Sequence, residues 1–164
     1  MIQELANYEK EPNSVEATEQ KLLSTIAFAS PASTQSPDDL NAVEPTTPSR
    51  PARCLILLEG GKAAGMALYF YNYSTWRAKP GIYLEDLFVH SAYRKRGYGK
   101  RLLAELARAV LDIDGGRLEW VVLKWNEPSI RFYESIGAKR MDDWVGMRVD
   151  NEALVRLAGT LNME

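Results

Sequence analysis

The chain has 164 residues, 46% apolar and 26% charged, with a net charge of −2 from 20 basic and 22 acidic side chains. This length suits one domain with its own core, and the composition excludes a chain disordered throughout or a globally basic nucleic-acid binder. One cysteine (Cys54) and one histidine (His90) exclude a disulfide scaffold and a Cys/His zinc cluster, no apolar run reaches the ~18 residues of a membrane span, and the Met-Ile-Gln-Glu-Leu-Ala start lacks a signal peptide's basic and apolar regions.

Residues 1–11 read as an amphipathic helix, with Ile2, Leu5, Ala6 and Glu9 at helical spacing and Pro12 and Asn13 as its stop. Thr18 then suits an N-cap for a helix from Glu19 to about Phe28, with Leu22, Leu23 and Ile26 as its buried face. Residues 29–53 change character. Five of the eight prolines fall there, among Ser, Thr and Asp, which reads as a surface insertion too polar to pack.

Arg53–Glu59 form a short strand, Gly60-Gly61 a tight turn, and Lys62–Tyr73 the return strand of a hairpin. Residues 74–81 are a loop and Ile82–Val89 a third strand. A helix from Gly99 to Asp112 carries Leu102, Leu103, Leu106, Val110 and Leu111 on one face. Arg117–Trp125 read as a fourth strand, in which Leu118, Trp120 and Val122 alternate. Pro128 opens a helix through Ile136 with Gly137 as its C-cap. Trp144–Val149 read as a last strand, and a short helix follows Asp150. The order strand–helix–strand–helix–strand predicts an α/β (α+β) fold: a mixed, partly parallel central sheet flanked by helices. A single domain over residues 1–164 is expected, interrupted at about 29–53.

The segment richest in chemistry is His90-Ser91-Ala92-Tyr93-Arg94-Lys95-Arg96-Gly97-Tyr98-Gly99-Lys100-Arg101, between a strand and a helix start. Glycines let the backbone turn tightly and approach a ligand. The helix end that follows offers unpaired N–H groups and the positive end of its dipole. Five basic side chains crowd residues 94–101, so the loop suits a pyrophosphate or similar anion. It is neither a Walker loop nor a dinucleotide fingerprint, because the endings and glycine spacings differ.

Arg94-x-x-Gly97-x-Gly99 after a strand and before a long helix resembles the coenzyme A signature of the GNAT N-acetyltransferases. Trp125-Asn126-Glu127-Pro128-Ser129-Ile130-Arg131-Phe132-Tyr133-Glu134 resembles the family's second hallmark, and Tyr83-Leu84-Glu85-Asp86 is similar to the diamine branch, which includes spermidine/spermine and thialysine acetyltransferases.

The resemblance implies an acetyl-CoA-dependent transferase acting on a primary amine of a small polyamine, diamine or lysine-like molecule in a ternary complex, with acetyl-CoA as co-substrate and no metal. It implies that the backbone of Leu87, Phe88 and Val89 pairs with the pantetheine arm. The loop Lys95, Arg96, Gly97, Tyr98, Gly99 and Lys100, entered through Arg94, would hold the pyrophosphate, and Asn126 and Ser129 would contact the coenzyme. Backbone donors where the third and fourth strands separate would meet the acetyl carbonyl. Tyr133 matches the tyrosine that protonates the leaving sulfur, and Glu85 the acid that takes the amine's proton. Asp86 is set aside because successive strand residues face opposite sides. Tyr8, Glu9 and Trp76 match the amine-facing wall.

Two departures stand out. Val145 and Met147 are apolar where the diamine enzymes carry acid and aromatic residues, which favours a shorter amine. The chain also starts inside the family's first helix, so the strand near Cys54–Glu59 is expected at a sheet edge. A homodimer in a reducing, cytoplasmic setting is expected, with no nucleic-acid or membrane partner. Two other readings stay open: a coenzyme A thioester-binding protein with little turnover, and a peptide or protein lysine acetyltransferase.

Overall fold

The fold is taken from a computed structural model that describes residues 1–28 and 45–162. They divide into two compact units, residues 1–126 and residues 127–164. The proposed insertion at 29–53 lies largely outside the described residues. Only its end is visible, where Thr47 and Arg50 bridge a turn and the Arg50 guanidinium donates to the Ile26 carbonyl at 2.7 and 3.0 Å.

In the first unit the elements run α1 (Ile2–Tyr8), α2 (Glu19–Thr25), β1 (Ala52–Glu59), β2 (Lys62–Ser74), β3 (Lys79–Val89), a 3-10 turn (Ser91–Tyr93), α3 (Tyr98–Asp112) and β4 (Leu118–Glu119). The sheet order is β1-β2-β3-β4. The first two pairings are antiparallel and β3–β4 is parallel, so the sheet is mixed, as expected. Gly60 and Gly61 take φ +57° and +76°, the left-handed pair that a two-residue hairpin needs. The Thr18 hydroxyl caps α2 by accepting from the Lys21 N–H at 3.2 Å.

The β2–β3 register puts Gly65, Ala67 and Tyr69 on one face with Val89, Leu87 and Leu84. A side chain on Gly65 would meet Leu102, so this face packs against α3. Leu102, Leu103, Leu106 and Val110 of α3 are buried there. Every fourth or third residue of a helix returns to the same side, and this spacing builds that apolar stripe.

Several boundaries differ from the sequence reading. Helix α2 ends at Thr25, so Leu23 is exposed and Ile26 is buried instead as a bridge to Ala52. Strands β2 and β3 run on to Ser74 and back from Lys79; Pro80 is tolerated one residue into β3, where a lost N–H costs little. Strand β4 spans two residues, not nine, because it has a partner only at Ile82 and Tyr83. β1 ends the sheet order, with Ile56 and Leu58 exposed, as expected for an edge.

Gly81 sits where β3 meets β4. A Cβ there would stand 2.8 Å from the Arg117 carbonyl and 2.5 Å from Asn72 Oδ1. Gly81→Ala must push β4 outward, and overpacking of this kind costs about 1–3 kcal/mol. The expected result is a lower urea midpoint with an unchanged slope.

The second unit holds α4 (Glu127–Ser135), α5 (Asn151–Gly159) and a closing 3-10 turn (Thr160–Asn162). Gly137 at φ +93° ends α4 as expected: its N–H bonds Glu134 O at 3.0 Å and the Ala138 N–H bonds Tyr133 O at 3.1 Å, a Schellman closure. Trp144–Val149 form no strand. The alternating pattern is present, but a strand also needs a backbone neighbour, and the described residues pair none with it. Asp150 stands at the N-cap of α5 without a side-chain capping bond.

Candidate active site

The pairing of β3 with β2 skips one residue. Leu84 faces Tyr69 and Asp86 faces Leu68, so Glu85 is the extra residue of a β-bulge. A bulge breaks strict alternation and re-aims side chains. Glu85 is exposed and Asp86 half-buried. Burial, the Glu85 charge and the Glu9 charge raise the Asp86 carboxyl to about 6. Burial also raises Glu9. Cys54, which shares the Leu68–Asp86 row, is pushed up to about 11 by burial and then by Asp86. Three carboxylates thus share one field, from the end of α1 and the bulge of β3. The charges of Glu85 and Glu9 disfavour the ionised form of Asp86, so a bound cation would favour it.

Strict alternation, which would turn Asp86 away from Glu85, is interrupted at this bulge. No turn residue marks it within Tyr83-Leu84-Glu85-Asp86. Glu85 lies beside Asp86 at the bulge, and it is Asp86 whose carboxyl burial and the neighbouring charges raise to about 6.

Beyond Tyr83 the β4 side of β3 has no ladder partner among the described residues. Leu87, Phe88 and Val89 lie on that stretch of edge, where an extended chain could pair. At its end the chain turns through Lys95 (φ +63°) and Gly97 (φ +82°) into α3. A non-glycine residue rarely adopts the Gly97 conformation, and nothing lies within 4 Å of where its Cβ would stand. The first turn of this 15-residue helix opens toward the loop. Lys95 and Lys100 are exposed, and among the described residues neither forms an ion pair. This loop fits the diphosphate of a coenzyme: backbone donors, a dipole end and two available cations.

Not every basic side chain is available. Arg94 folds back, its Nε donating to the Val89 carbonyl at 2.9 Å. Its guanidinium lies over the rings of Tyr8 and Phe88 at 5.8 and 5.7 Å. Arg96 pairs with Glu59 at 2.8 Å. Tyr98 also bonds Glu59, which raises its hydroxyl, and Gly99 continues into the helix. Tyr8 and Glu9 are adjacent at the end of α1, and the Tyr8 hydroxyl donates to Asn126 Oδ1 at 2.9 Å.

Trp76 is not brought to this cluster. It is 88% exposed in the β2–β3 turn, and the seven residues from Lys79 to Glu85 put roughly 20 Å of strand between that turn and the acids. Ser129 and Tyr133 belong to the second unit, four residues apart and so on one side of α4. Both are half-buried, and the Tyr133 ring stands 5.3 Å from that of Phe132.

Comparison with known proteins agrees with this geometry. Residues 20–138 match the model of the acetyltransferase (GNAT) family. The thialysine N-epsilon-acetyltransferase of Bos taurus is 32% identical over 162 residues, 97% of this chain and 88% of that protein. The L-ornithine N5-acetyltransferase of Arabidopsis thaliana is 42% identical over 91 residues, 56% of this chain but only 40% of its own length. Among solved structures, an integron cassette protein from the mobile metagenome of V. cholerae superposes with a TM-score of 0.69 at 26% identity, over 94% of this chain and 85% of that one. With its family model matched over residues 20–138 and a relative matched along nearly its whole length, the chain belongs to the acetyltransferase (GNAT) family and is an N-acetyltransferase.

Proposed function

We propose that the chain moves an acetyl group from acetyl-CoA to a primary amine of a small diamine, polyamine or lysine-like substrate, by direct attack in a ternary complex. The observation that carries this reading is the grouping of Glu9, Glu85 and Asp86 beside the open edge of β3. An ammonium group suits that field, and the relatives named above are enzymes of thialysine and ornithine, molecules with a side-chain amine. The apolar Val145 and Met147 favour an amine of that length over a long polyamine.

The edge of Leu87–Val89 would hold the pantetheine arm. The loop Lys95–Lys100 would hold the diphosphate, and Asn126 and Ser129 would add polar contacts. When bound, the coenzyme supplies an activated acetyl thioester. Asp86 takes a proton from the incoming ammonium, directly or through water, so that the nitrogen lone pair is free to form the new C–N bond. Glu85 and Glu9 hold the cation nearby. The Tyr133 hydroxyl supplies a proton to the sulfur as the C–S bond breaks.

We also propose a cytoplasmic homodimer. The edge of β1 beyond Ala52, which has no ladder partner among the described residues, and the exposed Ile56 and Leu58 support a second copy, since bare edges invite pairing. Sedimentation equilibrium should give twice the 18.5 kDa chain mass; a monomer at micromolar concentration would refute this.

The function is tested by thiol release from acetyl-CoA with thialysine, ornithine, lysine, spermidine, putrescine and a lysine peptide. Release with thialysine or ornithine, at least tenfold faster than with spermidine, is expected. Release with the peptide alone would make this a protein acetyltransferase. Binding of the coenzyme with no release from any amine would refute the small-amine reading.

A further inference from the structure

Tyr8 is the residue of α1 with the longest reach in sequence. Its hydroxyl donates to Asn126 Oδ1, 118 positions away, at 2.9 Å. Asn126 itself is only 6% exposed. The Tyr8 ring lies 6.0 Å from that of Trp125, and the Arg94 guanidinium lies within 6 Å of the rings of both Tyr8 and Phe88. The same Arg94 holds the Val89 carbonyl through Nε. Tyr8 and Arg94 together therefore tie the end of α1 to the end of β3 and to the segment that precedes α4.

We infer that Tyr8 is a positioning residue for the coenzyme side of the site, acting through Asn126 and Arg94, and not a contact of the amine. The hydrogen bond turns the carbonyl of the Asn126 amide toward Tyr8 and its NH₂ group away, which fixes the side chain before any ligand arrives. Pre-ordering of this kind strengthens binding because the ordering cost is met in the free protein. The stacked Arg94 fixes the last carbonyl of the β3 edge in the same way. Glu9, the next residue, faces the acids, so a single turn of chain organises both halves of the site.

This inference rests on the proposed role of Asn126 toward the coenzyme. Tyr8→Phe keeps the ring contacts and removes the hydroxyl. The expected result is a Kd for coenzyme A raised about 5–10-fold by calorimetry, the size of one hydrogen bond. The KM for acetyl-CoA should rise in parallel, with kcat and the KM for the amine within about twofold of wild type. Asn126→Ala, which removes the coenzyme contact as well as the Tyr8 bond, should weaken the coenzyme at least as much, and adding Tyr8→Phe to it should cost nothing more, because the bond to Tyr8 is already gone. Asn126→Ala reads the same bond from its other end, so one single variant still tests the inference if the other is hard to fold. A rise in the amine KM with an unchanged coenzyme Kd would overturn the inference and make Tyr8 a substrate contact. A purely structural role would lower Tm and move neither constant selectively, which would also overturn it. Failure of the wild-type protein to bind coenzyme A would overturn the coenzyme reading itself, and the inference with it.

Discussion

Asp86→Asn is expected to lower kcat/KM for the amine by about 10²–10⁴-fold, the usual worth of a positioned general base, while making the protein more stable at pH 7.5. Both effects come from one cause. Burial and the charges of Glu85 and Glu9 raise the Asp86 carboxyl to about 6, above the ~3.9 of an unfolded chain. Between about pH 4 and 6 the folded state holds a proton that the unfolded state has released, so stability falls as pH rises through that window. Above 6 the folded protein bears the whole cost of the buried charge, and asparagine removes it. After allowance for solvent around a half-buried group, the gain is about 1 kcal/mol, or 2–4 °C in Tm for a chain of this size. Below pH 4 the two proteins should melt together.

The activity side has its own signature. Only ionised Asp86 accepts a proton, so wild-type kcat/KM should climb with pH through about 6 and then level. The variant should lack that limb. Glu85→Gln, at the exposed bulge residue, should raise the amine KM several-fold and leave the limb in place. If Glu85→Gln removes the limb and Asp86→Asn keeps it, the acid first picked out by its match to the family is the base after all.

The contrast between these two neighbours shows where the sequence was legible. Helix α3 was plain because its apolar residues recur at a spacing that strand geometry cannot use. The hairpin turn was plain because two adjacent glycines serve conformations other residues avoid. The anion loop was plain for the same reason at Gly97. The bulge at Glu85 was not, because it needs no special residue and arises from how β3 aligns with β2. The Tyr8–Asn126 bond was equally hidden, since neither residue carries a local sign of a partner 118 positions away. Trp144–Val149 show the opposite failure: the alternating pattern is there, but no neighbour among the described residues pairs with it. Local conformation is written locally; pairing and the electrostatics that follow from it are not.

Tyr133→Phe should cut kcat by about 10²–10³-fold and leave the KM values and Tm nearly unchanged. When the amine attacks, a C–N bond forms and the C–S electron pair goes to sulfur. A thiolate leaves more readily if a proton meets it, and a phenol hydroxyl can provide one. That hydroxyl stands on a helix with a well-defined end. The Tyr133 carbonyl accepts the closing bond from Ala138 at 3.1 Å, and Gly137 at φ +93° ends the helix directly afterwards. Its ring stands 5.3 Å from that of Phe132. Phenylalanine preserves the ring and the helix end, so the substitution isolates the O–H. The loss should grow as the acceptor amine becomes a better leaving group, since departure of sulfur then competes with return of the amine. A kcat within about twofold of wild type would instead make Tyr133 an anchoring aromatic of α4, and the proton for sulfur would have to come from solvent.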